Sequence, residues 1–401
     1  MTTRGILLRN ARRAFGDRVD IRVRDGAIAE VGPKLEASGG DPLLLDADGA
    51  LVIPGLIDGH LHLDKTLLGL PWKPHPAGPT LSERIEAEKH LRHALPLSVE
   101  DRAVNLIRRV LSNGTVHLRT HVDIDPEIGL ENLYGVLSAR ERFKDFISIQ
   151  IVAFPQSGVV SCPGTAALLD EAVEAGADLV GGLDPAGIDG DPDGQLDAVF
   201  DIAERRGVGI DIHLHDRGEL GTSELVLIAE RTAAQGMGGR VTVSHGFCLG
   251  EVDEATFGRT AERLAESGVA ILTHGPGSQA IPPINRLRAA GVTVFAGSDN
   301  IRDSWSPYGS GDMVERVMWI AYRSGFRTDQ ELAVAFELAT IAAAKALGLD
   351  RYGLDVGCRA DFVVLRGSTL GEAIVEHPRR SLVVKSGRVV AHEGTVIDPP
   401  E

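Results

Sequence analysis

Two histidines close an apolar run, LVIPGLIDGHLHLDK, that extends from Leu51 to Lys65. The run predicts a buried strand. Alternate side chains of a strand point to the same face, so His60 and His62 point the same way at its carboxyl end. Two neighbouring imidazoles offer nitrogen ligands to one metal ion. A lone His-x-His is often no more than two ordinary histidines beside a loop, so the interpretation depends on partners elsewhere in the chain.

Strands alternate with helical stretches through the middle of the chain. This alternation is typical of a parallel sheet, and eight strands close a (β/α)8 barrel, which takes ~250 residues. The candidate strands cover residues 51–58, 115–123, 147–154, 178–183, 208–215, 241–245, 269–273 and 292–299. Helical stretches such as 97–114 have apolar residues at a 3.6-residue spacing and carry glycine at their ends.

Polar residues close several of these candidate strands. In a parallel barrel the active site lies at the carboxyl ends of the strands. The residues at the predicted ends are His60, His62, His121, Asp123, Gln156, His213, His215, His245 and Asp299. Imidazole and carboxylate ligands suit Zn²⁺ or Fe²⁺, and an open coordination position would hold a water molecule. The alternative, that all these histidines only pack the same end of the barrel, is disfavoured by their number.

Both ends of the chain read as short strands and turns. Asp25-Gly26, between alternating apolar residues, is a strong hairpin signal. We therefore expect a small β-sandwich domain formed by residues 1–50 and 356–401. It would flank a catalytic barrel of residues 51–355.

Composition narrows the classes of protein that need to be considered. The chain has 401 residues and a formal net charge of -16, which argues against a nucleic-acid or anionic-membrane partner. No apolar stretch reaches the ~18 residues that a membrane span requires, and the first residues lack a secretory signal, so a cytoplasmic location is expected. The cysteines, Cys162, Cys248 and Cys358, indicate neither a disulfide framework nor a thiolate zinc site.

Six segments resemble the amidohydrolase superfamily, specifically its cytosine deaminase branch: VIPGLIDGHLHLDK, THVDID, IVAFPQSG, DIHLHDRGELG, VTVSHGFC and GSDNIRDSW. The similarity runs over nearly the whole chain. Within that branch the motifs are most similar to the N-isopropylammelide isopropylaminohydrolase type, which shares the H-x-H-D motif and SDNIRD with a following tryptophan. The resemblance implies a distorted (β/α)8 TIM barrel, a flanking β-sandwich and one divalent metal ion per subunit, Zn²⁺ or Fe²⁺.

The resemblance also assigns roles to individual residues. Four positions match the family's metal ligands: His60, His62, His213 and Asp299. His245 matches a histidine that lies at the metal or hydrogen-bonds its water, and Gln156 matches a substrate-recognition glutamine. His121 is expected to support the ligands from behind. The end of the fourth strand, LVGGLDP, has no lysine that could be carboxylated to bridge two metals, which favours a single ion.

One position departs from the family pattern. Cytosine deaminases carry a glutamate three residues after the histidine of the fifth strand, and here that position is Asp216, one methylene shorter. His215 shares the strand face of His213, so we expect it to be the principal proton carrier. Asp216 and Glu219 stay open as the acid. The alternative for His215 is that it only orients a metal ligand.

Further residues are candidates for substrate contacts. Lys65 and Asn300 offer hydrogen bonds, and Trp305 and Trp72 offer rings that stack on a planar heterocycle. Each has an ordinary alternative as a surface lysine, a turn-capping amide or a core aromatic. The loop from Thr66 to about Glu88 is the candidate substrate lid. Its prolines are Pro71, Pro74, Pro76 and Pro79.

The expected reaction is removal of an amino or alkylamino group from a planar nitrogen heterocycle such as cytosine, ammelide or a pterin. A metal-bound hydroxide would attack, aided by His215, with Asp299 accepting a proton. The alternatives are a cyclic amidase of the dihydroorotase or hydantoinase type and a catalytically silent scaffold with the same fold. A homo-oligomer is expected by analogy. The sequence does not fix the ring, the leaving amine or the metal.

Overall fold

The computed structural model describes residues 5–14, 16, 18–75, 80–397 and 399. The strands are β1 (Ile6–Arg12), β2 (Arg18–Arg24), β3 (Ala27–Gly32), β4 (Leu43–Asp46), β5 (Leu51–Pro54), β6 (Leu56–Leu61), β7 (Thr115–Asp123), β8 (Ser148–Phe154), β9 (Leu179–Leu183), β10 (Gly209–Leu214), β11 (Val241–His245), β12 (Ala270–Thr273), β13 (Val294–Ala296), β14 (Phe362–Leu365), β15 (Arg380–Lys385), β16 (Arg388–His392) and β17 (Thr395–Val396).

The α-helices are α1 (Leu81–Arg92), α2 (Val99–Ser112), α3 (Glu131–Phe143), α4 (Thr165–Ala175), α5 (Pro192–Arg206), α6 (Gly218–Ala234), α7 (Glu254–Ser267), α8 (Ile284–Ala289), α9 (Met313–Arg323), α10 (Asp329–Leu338), α11 (Ile341–Ala346) and α12 (Leu370–Glu376), with a 3-10 turn at Phe247–Gly250. In α2, Ser98 caps the first turn by accepting from the backbone N–H of Asp101. The helix packs its apolar side, including Leu106 and Val110, against the barrel.

Strands β6 to β13 form one eight-stranded parallel sheet in chain order, which confirms the predicted barrel. The sheet closes between its first and last strands, where the backbone N–H of Asp299 donates to the carbonyl oxygen of His60 at 2.7 Å. Glycine makes this close approach feasible. A Cβ atom at Gly297 would lie 2.6 Å from the backbone nitrogen of His60, and one at Gly59 would lie 2.7 Å from the carbonyl oxygen of Ala296.

The remaining strands come from both ends of the chain and form a nine-stranded mixed sheet. Its order is β17-β16-β15-β14-β5-β1-β2-β3, with β4 beside β1. The sheet has an apolar cluster of its own, to which Ile6, Ile21 and Phe362 contribute. The predicted β-unit built from both chain ends is thereby confirmed, including its hairpin at Asp25-Gly26. The predicted domain boundaries remain a prediction.

The sequence predicts a single strand at residues 51–58, but the structure has two strands there. β5 pairs antiparallel with β14 in the mixed sheet, and β6 then begins the barrel after Gly55. A Cβ atom at Gly55 would lie 2.3 Å from a methyl group of Val116, so the chain passes between the two sheets at a residue without a side chain. The apolar pattern is continuous because both strands are buried.

The predicted lid is partly helical. α1 begins at Leu81, in the last third of the segment, and continues past Glu88 to Arg92, and Thr80 caps it together with Glu83. Pro76 and Pro79 lie outside the described residues. In the part of the chain that the structure describes, no helix is long and apolar enough to cross a membrane.

Candidate active site

Buried histidines and an aspartate converge at the carboxyl ends of the barrel strands. His60 belongs to β6, His62 follows it, and His213 belongs to β10, with one ligand atom of each within 4.8 Å of the others. A carboxylate oxygen of Asp299, just after β13, lies 3.4 Å from His62 Nε2 and 3.7 Å from His60 Nε2. The structure therefore brings together His60, His62, His213 and Asp299. The fifth predicted ligand, His245, lies in a second group with His274 that shares Asp299.

Several of these imidazole nitrogens are buried without a hydrogen-bond partner. They include His60 Nε2, both ring nitrogens of His213 and His245 Nε2. Burying an unpaired polar atom costs ~1–3 kcal/mol, so such a group of atoms calls for a ligand. Burial and the neighbouring histidines also hold the pKa values of His60 and His213 well below their usual range, which keeps the rings neutral, as metal ligands must be. The donor set fits a divalent cation.

The ring of His60 is fixed from behind. Its Nδ1 lies 2.9 Å from Ser244 Oγ, which in turn donates to Asp211 at 2.7 Å. Arg119 pairs with the other oxygen of Asp211 at 2.9 Å. His121 stacks on His60 with the ring centroids 3.9 Å apart, in the supporting position expected from the sequence. These contacts leave His60 Nε2 as the nitrogen that faces the cluster.

Three residues at this rim have left-handed backbone conformations. The φ angles are +34° at Asp184, +78° at His245 and +59° at Asp299. Residues other than glycine rarely adopt this region, and they do so where surrounding contacts hold them. The backbone N–H groups of Asp184 and Asp299 donate to the carbonyl oxygens of His213 and His60 respectively, each on the neighbouring strand. The side chains are thus held in fixed directions.

His215 follows β10 and faces the cavity beside the cluster. Its Nδ1 lies 2.9 Å from Asp184 Oδ2, and the other oxygen of Asp184 accepts its backbone N–H. Burial alone would lower the pKa of His215, but the carboxylate of Asp184 outweighs burial and raises it. The ring stacks on His245 with centroids 4.4 Å apart. This arrangement leaves His215 Nε2 directed away from Asp184 and available to a ligand.

The structure does not bring Asp216 or Glu219 to the cavity. Asp216 accepts the backbone N–H of Gly187 at 2.8 Å and faces Glu224. Burial, with the carboxyl of Asp216 close by, raises the pKa of Glu224 to about 8. Glu219 is exposed in the first turn of α6.

The substrate side of the site is an inner cavity of about 40 Å³ next to an outer one of about 470 Å³. The inner cavity is lined by all four residues predicted to contact substrate: Lys65, Gln156, Asn300 and Trp305. His62, His213 and Asp299 form another part of its wall. Trp72 is elsewhere, with 64% of its surface exposed and Arg302 against its ring.

Three residues at the site had no assigned role in the sequence. Glu88 binds the side chains of Lys65 and Gln156, Asp184 holds His215, and His274 lies 3.5 Å from Asp299 and 3.2 Å from His245. His274 directly follows a predicted strand, and that position at a strand end could have indicated a role at the site. Asp184 follows another strand. Glu88 gives no such signal because it lies in the middle of a helix.

An eight-stranded parallel barrel with buried histidines and an aspartate at its carboxyl ends defines the class of metal-dependent hydrolases built on this fold. The model of the Amidohydrolase family matches residues 44–391, and the chain belongs to that family.

Relatives support the same assignment over the full length. The chain is 32% identical to N-isopropylammelide isopropyl amidohydrolase of Pseudomonas sp. (strain ADP), over 98% of both chains. The crystal structure of N-isopropylammelide isopropylaminohydrolase from Burkholderia multivorans ATCC 17616 has a TM-score of 0.95 and 48% identity, covering 99% of this chain and 100% of that one.

A third similar structure is a 5-methylcytosine deaminase from Klebsiella pneumoniae liganded with 5-fluorocytosine. It has a TM-score of 0.85 and 27% identity, covering 96% of this chain and 97% of that one. The resemblance read from the motifs is confirmed. So is the prediction of a hydrolase that acts on carbon–nitrogen bonds other than peptide bonds.

Proposed function

We propose that the protein is a metal-dependent aminohydrolase that removes an amino or alkylamino group from a planar nitrogen heterocycle. The observation that carries the proposal is the inner cavity. One part of its wall is the cluster of histidines and Asp299, and another offers the amides of Gln156 and Asn300 and the ring of Trp305. A flat ring with polar edges suits a small pocket with a few fixed hydrogen-bonding groups.

In this proposal one divalent cation, Zn²⁺ or Fe²⁺, is held by the four converging residues His60, His62, His213 and Asp299, with His245 beside it. When bound, such a cation acts as a Lewis acid and lowers the pKa of a coordinated water molecule toward ~7. Both ions accept imidazole and carboxylate ligands. The absence of lysine from the β9 sequence LVGGL supports a single ion.

His215 moves the proton in this proposal. Asp184 accepts its Nδ1–H, so Nε2 is the nitrogen that takes a proton from the attacking water and delivers it to the departing amine. Asp299 stays ionised, because His274 and His62 outweigh burial and hold its pKa well below the usual range. Its carboxylate is therefore a second but weaker proton acceptor than His215. Asp216 and Glu219 are not needed, since neither lines the cavity.

Gln156 and Asn300 hydrogen-bond the polar edge of the ring in this proposal, Lys65 contributes its positive charge to the same wall of the cavity, and Trp305 lies against the face of the ring. The ring belongs to the type named by the relatives, an ammelide or a cytosine. Asn300 is pre-oriented because its Nδ2 donates to Asp303 at 2.7 Å, which leaves its amide oxygen for substrate.

The test is a product assay of purified protein with N-isopropylammelide, cytosine and a pterin, measuring released ammonia or amine. His215→Asn is expected to keep the metal content and lower turnover by about 10²–10⁴-fold. Glu219→Gln, a change of charge in the next turn, is the matched control and should retain full activity. Ring-opened acids in place of amines would favour the cyclic amidase. Metal-free protein without product would favour the silent scaffold.

A further inference from the structure

Three donors converge on one oxygen of Glu88. Gln156 Nε2 donates to Glu88 Oε2 at 2.8 Å, Lys65 Nζ lies 3.2 Å from the same oxygen, and the indole N–H of Trp305 donates to it as well. The three donors come from three places: the segment after β6, the turn after β8 and the loop after β13. A single carboxylate therefore connects three of the four side chains proposed to contact substrate.

Glu88 reaches this point from α1. Among the side chains that the structure describes in this helix, the buried ones are Ile85 and Glu88. Leu81, at the start of the helix, lines both cavities. At the other end, Arg92 pairs with Asp125 at 2.9 Å. The helix thus covers the site, and Glu88 is its ionic contact with the residues that face the ligand.

The carboxylate fixes which way the amide of Gln156 faces. An amide has two N–H donors and two acceptor positions on its oxygen. Glu88 takes one N–H of Gln156, and Lys65 donates to its oxygen. Turning the amide over would place its oxygen against a carboxylate and its NH₂ group against an ammonium, so one orientation is enforced. One N–H and one acceptor position remain for a ligand.

Lys65 is held as a permanent cation by the same arrangement. It lies 2.9 Å from Asp123 and 3.2 Å from Glu88. Burial would lower the pKa of Lys65, but Asp123 and Glu88 outweigh burial and raise it above the usual range. Because its proton is firmly held, Lys65 orients its neighbours and does not transfer a proton.

We propose that Glu88 is the positioning residue that sets substrate specificity, because it locks Gln156, Lys65 and Trp305 into the orientation that recognises the ring. The inference rests on the proposed function, which supplies the role of those three side chains. Glu88 touches neither the substrate nor the metal-binding residues in this scheme.

The experiment compares Glu88→Gln with Glu86→Gln. Both remove one negative charge from α1 and keep the size of the side chain, but Glu86 is solvent-exposed, with Lys89 as its partner. For N-isopropylammelide, E88Q is expected to raise KM by about tenfold or more, the loss typical of a charge-assisted hydrogen bond, with kcat and metal content changed little. E86Q should match the parent protein. Glu88→Asp, which keeps the charge but is shorter, should fall between the two.

A spectroscopic readout separates this inference from the proposed function. The chain has three tryptophans, so replacing Trp72 and Trp319 by Phe leaves Trp305 as the only indole emitter. In this background E88Q should shift the emission of Trp305 and weaken its quenching by cytosine or N-isopropylammelide, whereas E86Q should do neither. This holds even if no amine is released, a result that would overturn the proposed function alone.

Two outcomes would overturn the role of Glu88. One is that E88Q and E86Q give the same KM and the same Trp305 emission. The other is a purely structural role for the residue, which would show in E88Q and E88D either as loss of folded protein by circular dichroism or as a joint loss of kcat and metal without a change in KM.

Discussion

Strand β7 contributes one histidine to each of two buried polar clusters. In one cluster the ring contacts charged side chains, and in the other its nitrogens have no hydrogen-bond partner. His117, near the start of the strand, lies 3.0 Å from Asp361 and 3.1 Å from Lys385, both from the mixed sheet. His121, near its end, has two ring nitrogens without a hydrogen-bond partner, and so does His213 next to it. Both histidines of β7 are buried.

The difference lies in how the polar atoms are paired. In the cluster of His117, Asp361 and Lys385, the two charged side chains pair with each other at 3.1 Å on the mixed-sheet side, and both contact His117 across the junction with the barrel, which fits a structural role. At the rim, burial removes several ring nitrogens from water, and they find no hydrogen-bond partner among the described residues. Buried polar atoms without a partner occur where a ligand supplies the missing interaction. Unpaired polar atoms, more than the residue types present, therefore distinguish a buried binding site from a buried structural cluster.

Removing a rim histidine should cost activity and little stability. His213→Ala is expected to lower turnover by at least about 10⁴-fold, because the proposed cation would supply several kcal/mol of transition-state stabilisation. Metal content should fall with turnover, while the urea midpoint of the metal-free protein should fall less than for a paired buried residue, since relief of two unpaired ring nitrogens offsets part of the cost of the cavity left beside Phe154. Elemental analysis and urea unfolding check this. A large loss of stability with full metal content would erase the distinction between the two clusters.

Removing the anion of the paired cluster should do the reverse. Asp361→Ala leaves Lys385 buried without its carboxylate, which typically costs ~3–5 kcal/mol. Chemical unfolding should show this loss, while the protein that remains folded keeps its metal and its KM. Asp145→Asn is the control, since its pair with Arg388 lies on the surface and is worth about 0–1 kcal/mol. Equal effects of the two changes would argue against a structural role for the cluster.

A third group of side chains lies behind His215 and consists of Asp184, Asp216 and Glu224. This group should make the stability of the protein depend on pH. Burial and the facing carboxyls raise the pKa of Glu224 to about 8, from an ordinary value of 4.5. Between these values the folded state holds more protons than the unfolded state, so stability falls as pH rises. The effect should be on the order of 2 kcal/mol, and Glu224→Gln should remove it. Thermal unfolding between pH 5 and 8 is the measurement, and an unchanged slope in the variant would contradict it.

The smallest effect is expected at Trp72. Because this ring lies outside both cavities and is largely exposed, Trp72→Ala should change KM by less than about twofold. Trp305→Ala, within the inner cavity, should raise KM far more. Steady-state kinetics of the pair decide whether the sequence-based expectation of a stacking Trp72 should be kept.

Much of the site could be predicted because it follows from strand geometry. The two-residue period places His60 and His62 together, and the barrel rule brings Asp299 to the same rim from more than 200 residues away. The bounds of β7 and β11 agree with the predicted ones. These features depend on local patterns and on one general property of parallel barrels.

The rest depends on contacts that no local pattern encodes. Glu88 lies on α1, whose position over the inner cavity depends on the loops at its ends. Asp184 holds His215 through a left-handed backbone conformation that the local sequence does not predict. The division at Gly55 was missed because two different sheets bury the strands on either side of it. The cytoplasmic location and the homo-oligomer remain predictions.

The left-handed backbone at His245 and Asp299 affects how substitution data at this rim should be interpreted. Alanine in that conformation carries a steric cost of ~1–2 kcal/mol that asparagine largely avoids. An alanine scan would therefore overrate positions 245 and 299 relative to 60 and 213, whose strand conformation accepts alanine. In a saturation library, Asp299→Asn isolates the contribution of the charge, and tolerance of glycine at either position would measure the strain itself.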